Sequence, residues 1–512
     1  MADCPLPPHL DPTNPMATMK ALQREIWSRL PAADTELLAN HLKKHPTSFA
    51  TACSGTDSIS HWITEGCSLM GLDSSVWSHA FSCEIDSAKV SYIQDQFPNL
   101  RKCFSDICSL SAHAAINVLD SHLKPEKVDD VGSIVTGLSC KDLSSLNPFM
   151  QFSLGGTAGP KSGKSGYTYS GLKAFLRNHG CDEGIIENVT NLHATPDEDM
   201  RSFLDVIMHD LAQLGFSSVA IKLSPHQFGI PHHRFRFYVQ FSRKVPLVML
   251  QDAIKLVQGC CSDTMLPIEC FMVAEDSAYV KDQLCQRQEG CANNHDHTVI
   301  RTAGKKKWKR RKQSCTEASP YLDPIASSKL PWVDCLLDRE LQVILETPQA
   351  AGRFADASQN SERAGFTDPT PGLVQCIAPG ALLWDRLLHR ELLGLERLAL
   401  QGVFPRPETL AKYKNSELND LAGNGFPAML VWLIAVATMI MKARVYVKDD
   451  EADAIINGSV SSQPQVQTSQ DDGQLPRFDE DGRVNSDDEC DDDGEHGLNA
   501  LNALAGLCDD FC

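Results

Sequence analysis

Phe49-Ala50-Thr51-Ala52-Cys53-Ser54-Gly55-Thr56-Asp57-Ser58 runs from a short apolar stretch into a turn of small residues, and an amphipathic segment over 59–70 follows at once. A strand, a small-residue turn and a helix in that order open a βαβ unit. The rhythm continues downstream. Segments 80–84, 133–136, 184–189, 219–223 and 235–241 also have the composition of strands, and 88–96, 172–179 and 201–214 have helical spacing. Strands alternating with helices predict an α/β class fold, a doubly wound and mostly parallel sheet covered on both faces. Ligands of such sheets bind beyond the carboxyl ends of the strands, so the residues at those ends carry the functional argument.

The 512 residues suffice for two or three domains, and an apolar share of 42% is ordinary for a globular chain. Nineteen cysteines are scattered along a chain that opens with a polar, proline-rich stretch, which predicts reduced thiols rather than a disulfide scaffold. The longest apolar run, 428–441, is shorter than a bilayer requires, so no membrane partner is expected. The net charge of −19 is concentrated at one end. Residues 449–512 hold 18 acidic and 2 basic residues, which leaves residues 1–448 near neutral and compatible with a nucleic-acid partner. The expected organisation is an N-terminal helical segment (1–46), a catalytic core (47–242), a small domain or insertion (243–380), a return to the core (381–447) and a disordered acidic tail (448–512). Within the tail, 497–507 is a short helix candidate.

Taken in order, the strand ends make a pattern. The turn at Ser54, Gly55, Thr56 and Asp57 brings backbone N–H groups close to a ligand. Glu84, closing the second strand, suits ribose hydroxyls. Asp106, followed by Ile107, closes a third strand and suits an adenine amino group. Three such ends in succession point to an adenosine-containing cofactor. The next strand runs into Thr136-Gly137-Leu138-Ser139-Cys140, which places a cysteine where it can act as a nucleophile, although a lone cysteine is more often packing. Glu187 ends the following strand in Glu187-Asn188-Val189. Arg234 and Arg236 alternate, so both face one side of a strand.

The order of these motifs resembles the cytosine-C5 methyltransferase family over roughly residues 47–242 and 381–430. Ser54-Gly55, Glu84, Asp106, Cys140 with Ser144 following, Glu187-Asn188-Val189 and His232-x-Arg234-x-Arg236 match its successive motifs. Glu396-Arg397-Leu398-Ala399-Leu400-Gln401-Gly402-Val403-Phe404-Pro405 and the turn Gly423-Asn424-Gly425-Phe426-Pro427 match two more. The resemblance implies a Rossmann-like class I core and S-adenosyl-L-methionine as cofactor, held by Ser54 to Asp57, Glu84, Asp106, Ile107 and Asn424. It implies methylation of carbon 5 of a cytosine in DNA through a covalent adduct with Cys140. Glu187 would protonate N3, Arg234 would contact the carbonyl O2, and Arg236 would support Glu187 or a phosphate. Lys141, Arg234 and Arg236 are the charges expected to lower the Cys140 pKa, and burial is expected to raise that of Glu187. The alternatives are the same chemistry on RNA and a catalytically silent nucleic-acid-binding scaffold. Departures from the family pattern are Asp57 and Ser58 in place of glycines, Ser139 in place of proline, Lys141 in place of glutamine and His232 in place of glutamine.

A base inside a duplex must leave the stack to reach such a site, which makes 243–380 the expected place for substrate contacts. That region includes eight basic residues in 301–312, suited to phosphate contact or nuclear import. Cys285, Cys291, His295 and His297 lack the paired spacing of zinc modules, so no metal is expected. The expected setting is the nucleus, with the acidic tail meeting a basic partner or mimicking DNA at the site.

Overall fold

The computed structural model describes residues 14–143, 163–195, 201–292, 352–356, 370, 372–385, 387–388 and 390–460. The basic residues of 301–312, Ser144, His295, His297 and the tail beyond 460 lie outside them, as does the side chain of Cys291. The chain lays down β1 (Thr47–Ala52), β2 (Trp77–Cys83), β3 (Cys103–Phe104), β4 (Ala114–Ile116), β5 (Pro125–Lys127), β6 (Val131–Gly137), β7 (Cys181–Val189), β8 (Ser217–Leu223) and β9 (Arg236–Ser242). Seven of these form one sheet in the order β3-β2-β1-β6-β7-β9-β8, while β4 and β5 pair separately. Each strand expected from the sequence lies within or overlaps an observed one.

Adjacent residues on a strand serve opposite faces. Phe49, Val135, Ile185 and Tyr238 join one apolar cluster, and their neighbours Ala50, Ile134, Ile186 and Val239 join another. A period of two with both sets apolar is what a sheet covered on both sides requires. Helices α1 (Pro15–Arg29), α2 (Ala32–Lys44), α3 (Ile59–Leu69) and α4 (Ser87–Gln96) contribute to the first cluster. Helices α5 (Gly163–Asn178) and α6 (Phe203–Gln213) fill the second. Helix α7 (Leu247–Gly259) and the helix Ala428–Val460 return to the first. Helix starts are set locally: the Asn14 side chain accepts from Ala17 N at 3.0 Å ahead of Pro15, and Ser202 and Asp205 cap each other at the start of α6.

The stretch Asn415–Lys448 is long and apolar enough to cross a membrane by composition, but its most apolar window is wholly buried among the other elements, as a core helix is. The described parts of 243–380 also belong to the first cluster, with Leu250, Val257, Ile268, Phe271, Phe354, Val374 and Ile377 packed there beside Leu22 and Val219.

Two features of the topology position the site. The order reverses between β1 and β6, so the turns leaving their carboxyl ends flank a crevice. The far end of the sheet is antiparallel: β9 runs opposite to both β7 and β8. Only residues 224–235 separate β8 from β9, with no crossover helix among them, and parallel neighbours need such a crossover. Being antiparallel, β9 begins where β7 ends, and Arg236 pairs in register with Val189.

Candidate active site

The turn after β1 is tightly wound, with Cys53, Gly55 and Asp57 all at positive φ (54°, 73° and 57°). Glycine at position 55 is favoured on two counts. Its φ is one that side chains rarely adopt, and a Cβ there would lie 3.3 Å from the Asn424 carbonyl oxygen. Its N–H donates to Glu84 Oε2 at 3.2 Å, while Glu84 Oε1 accepts from the N–H groups of Ile85 and Asp86 at 3.0 and 3.1 Å. Burial raises the Glu84 pKa, opposed by Lys89 and by these N–H donors. Ile85, next in sequence, is 73% exposed, an apolar surface left bare at a strand end.

Asp57 does not face this edge. Its carboxylate is fully buried and accepts from the hydroxyls of Thr51, Ser54 and Ser82, with His79 Nε2 3.6 Å away. It therefore supports the turn from beneath. The carboxylate of Asp57 thus braces the turn, and any approach of this residue to a ligand is left to its backbone. Thr56 and Ser54 are likewise buried, Thr56 Oγ1 lying 3.1 Å from Ser58 Oγ. Asn424 turns its side chain back to the Asp420 carbonyl at 2.9 Å, so its backbone is what meets Gly55. Asp106 caps the turn after β3 through Cys108 N at 2.9 Å, and it accepts from the Tyr167 hydroxyl at 2.8 Å. Ile107 is buried beside it.

Beyond β6 the chain reaches Cys140. Gly137 and Glu187 are register partners on adjacent parallel strands, so Cys140 and Glu187 emerge at the same edge. Asn188 ties the two together, its Nδ2 donating to the Leu138 carbonyl at 3.3 Å. Glu187 pairs with Arg236, Nε to Oε1 3.2 Å. Arg236 also reaches the Cys376 sulfur at 3.5 Å. Although burial opposes it, the adjoining Arg236 and Arg234 hold the Cys376 thiol below its ordinary value. Arg234 is engaged elsewhere. It is buried, and it donates to the carbonyls of Ile377 (2.7 Å), Gly425 (2.9 Å) and Gly423 (3.5 Å). It clamps the turn that abuts Gly55, and Arg236 is left as the guanidinium beside Glu187.

Burial pushes the Cys140 thiol above its ordinary range, with Glu187 adding to the shift and Arg236 and Arg234 drawing it part of the way back. The expected activation by positive charge is thus incomplete in this arrangement. Desolvation of the sulfur and the nearby Glu187 outweigh the two guanidinium charges, and Lys141 is exposed. His232 is fully buried, and its Nε2 accepts from Ile377 N at 3.4 Å. Among the described residues no group of three or more His, Cys, Asp or Glu is arranged to hold a metal. Sequence reasoning missed Tyr167, Cys376 and the hydroxyl of Ser82 at Asp57, since each lies on another element and carries no motif.

No family model matches the chain. It is 25% identical over 464 residues to the DNA (cytosine-5-)-methyltransferase DMT5 of Cryptococcus neoformans var. grubii, an alignment that takes in 84% of this chain and 18% of that much longer protein. The chain thus spans under a fifth of the relative's length. Among solved structures it is similar to the Dnmt2 methyltransferase of S. pombe (TM-score 0.41, 13% identity, 76% of this chain and 97% of that one). It is also similar to the Entamoeba histolytica methyltransferase EhMeth (TM-score 0.39, 11% identity, 76% and 97%).

Proposed function

We propose, from the chain's resemblance to the cytosine-C5 DNA methyltransferases, that it transfers a methyl group from S-adenosyl-L-methionine to carbon 5 of cytosine in DNA. The observation that carries this reading is the meeting of Cys140, Glu187 and Arg236 at neighbouring strand ends, next to the turn held by Glu84.

The residues present fit the cofactor. A glycine turn with a buried acid behind it, a second acid at Asp106 and the bare Ile85 side chain offer acceptors for ribose and adenine and an apolar face for the base. When bound, the cofactor supplies an electrophilic methyl group. The protein's part is to make carbon 5 nucleophilic. The Cys140 thiol gives its proton to water and the sulfur adds to carbon 6, forming an S–C6 bond while the C5=C6 electron pair moves into the ring. Glu187, held by Arg236, keeps a proton at N3 as charge develops there. After methylation the carbon 5 proton leaves to water, its electron pair re-forms the C5=C6 bond as the sulfur departs as thiolate, and the N3 proton returns to Glu187. The target base is turned out of the duplex to reach this edge.

Labelled cofactor offered with duplex DNA, single-stranded DNA and transfer RNA tests the reading. Label is expected on DNA with the wild-type chain and on nothing with Cys140→Ala. Label on transfer RNA alone would move the substrate to RNA. Nucleic-acid binding without label would make the chain a silent scaffold.

A further inference from the structure

The first turns of α5 touch both halves of the site. Tyr167, 40% exposed, donates its hydroxyl to Asp106 Oδ2 at 2.8 Å, at the adenine end. The adjacent Thr168 accepts from the Ser139 N–H at 3.2 Å, one residue before the nucleophile. Ser165 and Asp142 exchange two further bonds, Ser165 N to Asp142 Oδ2 at 2.7 Å and Asp142 N to Ser165 Oγ at 3.3 Å. One turn of helix therefore grips the nucleophile loop on both sides of Cys140 and orients the acid at the far pocket. The grip is stiff, because α5 packs directly on the turn Ile107–Ser111. A Cβ on Gly171 would lie 2.8 Å from Ile107 Cγ2 and 2.9 Å from Cys108 N, so no side chain separates them.

We propose that Tyr167 is a positioning residue acting through Asp106, and that the first turns of α5 couple occupancy of the adenosine site to the placement of Cys140. The inference rests on the methyltransferase reading and adds to it a route by which the nucleophile senses the cofactor. A carboxylate oxygen accepts more than one hydrogen bond, so Asp106 Oδ2 holds the tyrosine hydroxyl and an adenine amino group together. Fixing the carboxylate then orders Tyr167, the helix turn it belongs to and, through Thr168 and Ser165, the loop from Ser139 to Asp142.

The test uses the full chain with S-adenosylhomocysteine as probe. Affinity is read by calorimetry, and alkylation of Cys140 by iodoacetamide is read by peptide mass spectrometry with and without the probe. In the wild type the probe is expected to bind and to slow alkylation of Cys140. Tyr167→Phe is expected to weaken binding about tenfold, the size of one hydrogen bond to a charged group. Thr168→Val is expected to bind the probe within a few-fold of the wild type, the size of the lost coupling, while its alkylation no longer responds to the probe. Simple shielding of Cys140 by the ligand would persist in Thr168→Val, and that result would overturn the coupling. Equal or tighter binding by Tyr167→Phe would overturn the role given to Tyr167. If the wild type bound no probe at all, the methyltransferase reading would fall together with this one, whereas either variant result alone leaves that reading standing.

Discussion

Arg234 and Arg236 stand two residues apart and do different work. Arg234 neutralises buried carbonyls of Ile377, Gly423 and Gly425, so its removal orphans backbone acceptors. Arg234→Ala is expected to destabilise the chain by roughly 2–4 kcal/mol, read as a lowered denaturation midpoint, because buried unpaired polar groups are costly. Arg236 is paired with Glu187 and faces Cys140 electrostatically. Arg236→Ala is expected to fold, to lose methyl transfer and to raise further the pH at which Cys140 becomes reactive. The sign follows from charge: burial holds the thiol above its ordinary value, and Arg236 exerts the larger pull of the two guanidinium charges drawing it down. An alkylation–pH profile of Cys140 that did not move in Arg236→Ala would remove this arginine from the account. The role of Asp57 was not legible in its neighbours, because Thr51 and Ser82 reach it from two different strands.

Among the elements, α2 and the helix Ala428–Val460 meet through a ring cluster in which Tyr446 lies 4.9 Å from His41 and 5.1 Å from His45. The Asp34 carboxylate adds a two-pronged contact with Arg444. Burial, with help from His45 and Lys442, pushes His41 down to about 4 from 6.5. The fold thus holds a neutral imidazole, and between these two pH values the unfolded chain binds more protons. Stability contributed by this contact is complete above about pH 6.5 and is lost as the pH falls toward 4. Urea midpoints are expected to drop between pH 7 and pH 5, and the drop should shrink in His41→Gln. An equal drop in that variant would place the acid sensitivity elsewhere. The strand pattern showed β9 but not its antiparallel direction. Alternation of apolar residues marks a strand but carries no direction, and the connection between β8 and β9, a single 3-10 turn at Pro225–Phe228, is too short for a parallel crossover.

For the whole molecule, charge is divided between a near-neutral chain and an acidic end. We propose that this acidic end competes with DNA for binding to the rest of the chain. Deletion of 461–512 is then expected to tighten DNA binding several-fold at low salt and less at high salt, since screening weakens exposed charge. Unchanged affinity at low salt would sink the idea. The basic cluster in 301–312 is proposed to direct nuclear import, and replacing Lys305, Lys306, Arg310 and Arg311 by alanine is expected to leave a fluorescent fusion outside the nucleus.

Read alone, the sequence determined the alternating strands and helices, their burial on both faces and the acids and cysteine at successive strand ends. These are local signals, set by apolar period and by turn residues next to one another in the chain. Only the tertiary structure decided which arginine stands beside Glu187, that Asp57 turns inward, and that Tyr167 and Cys376 belong to the site. Those choices join residues far apart in the chain. Strand order, strand direction and packing decide which of many polar side chains meet, and no pattern within a segment records that.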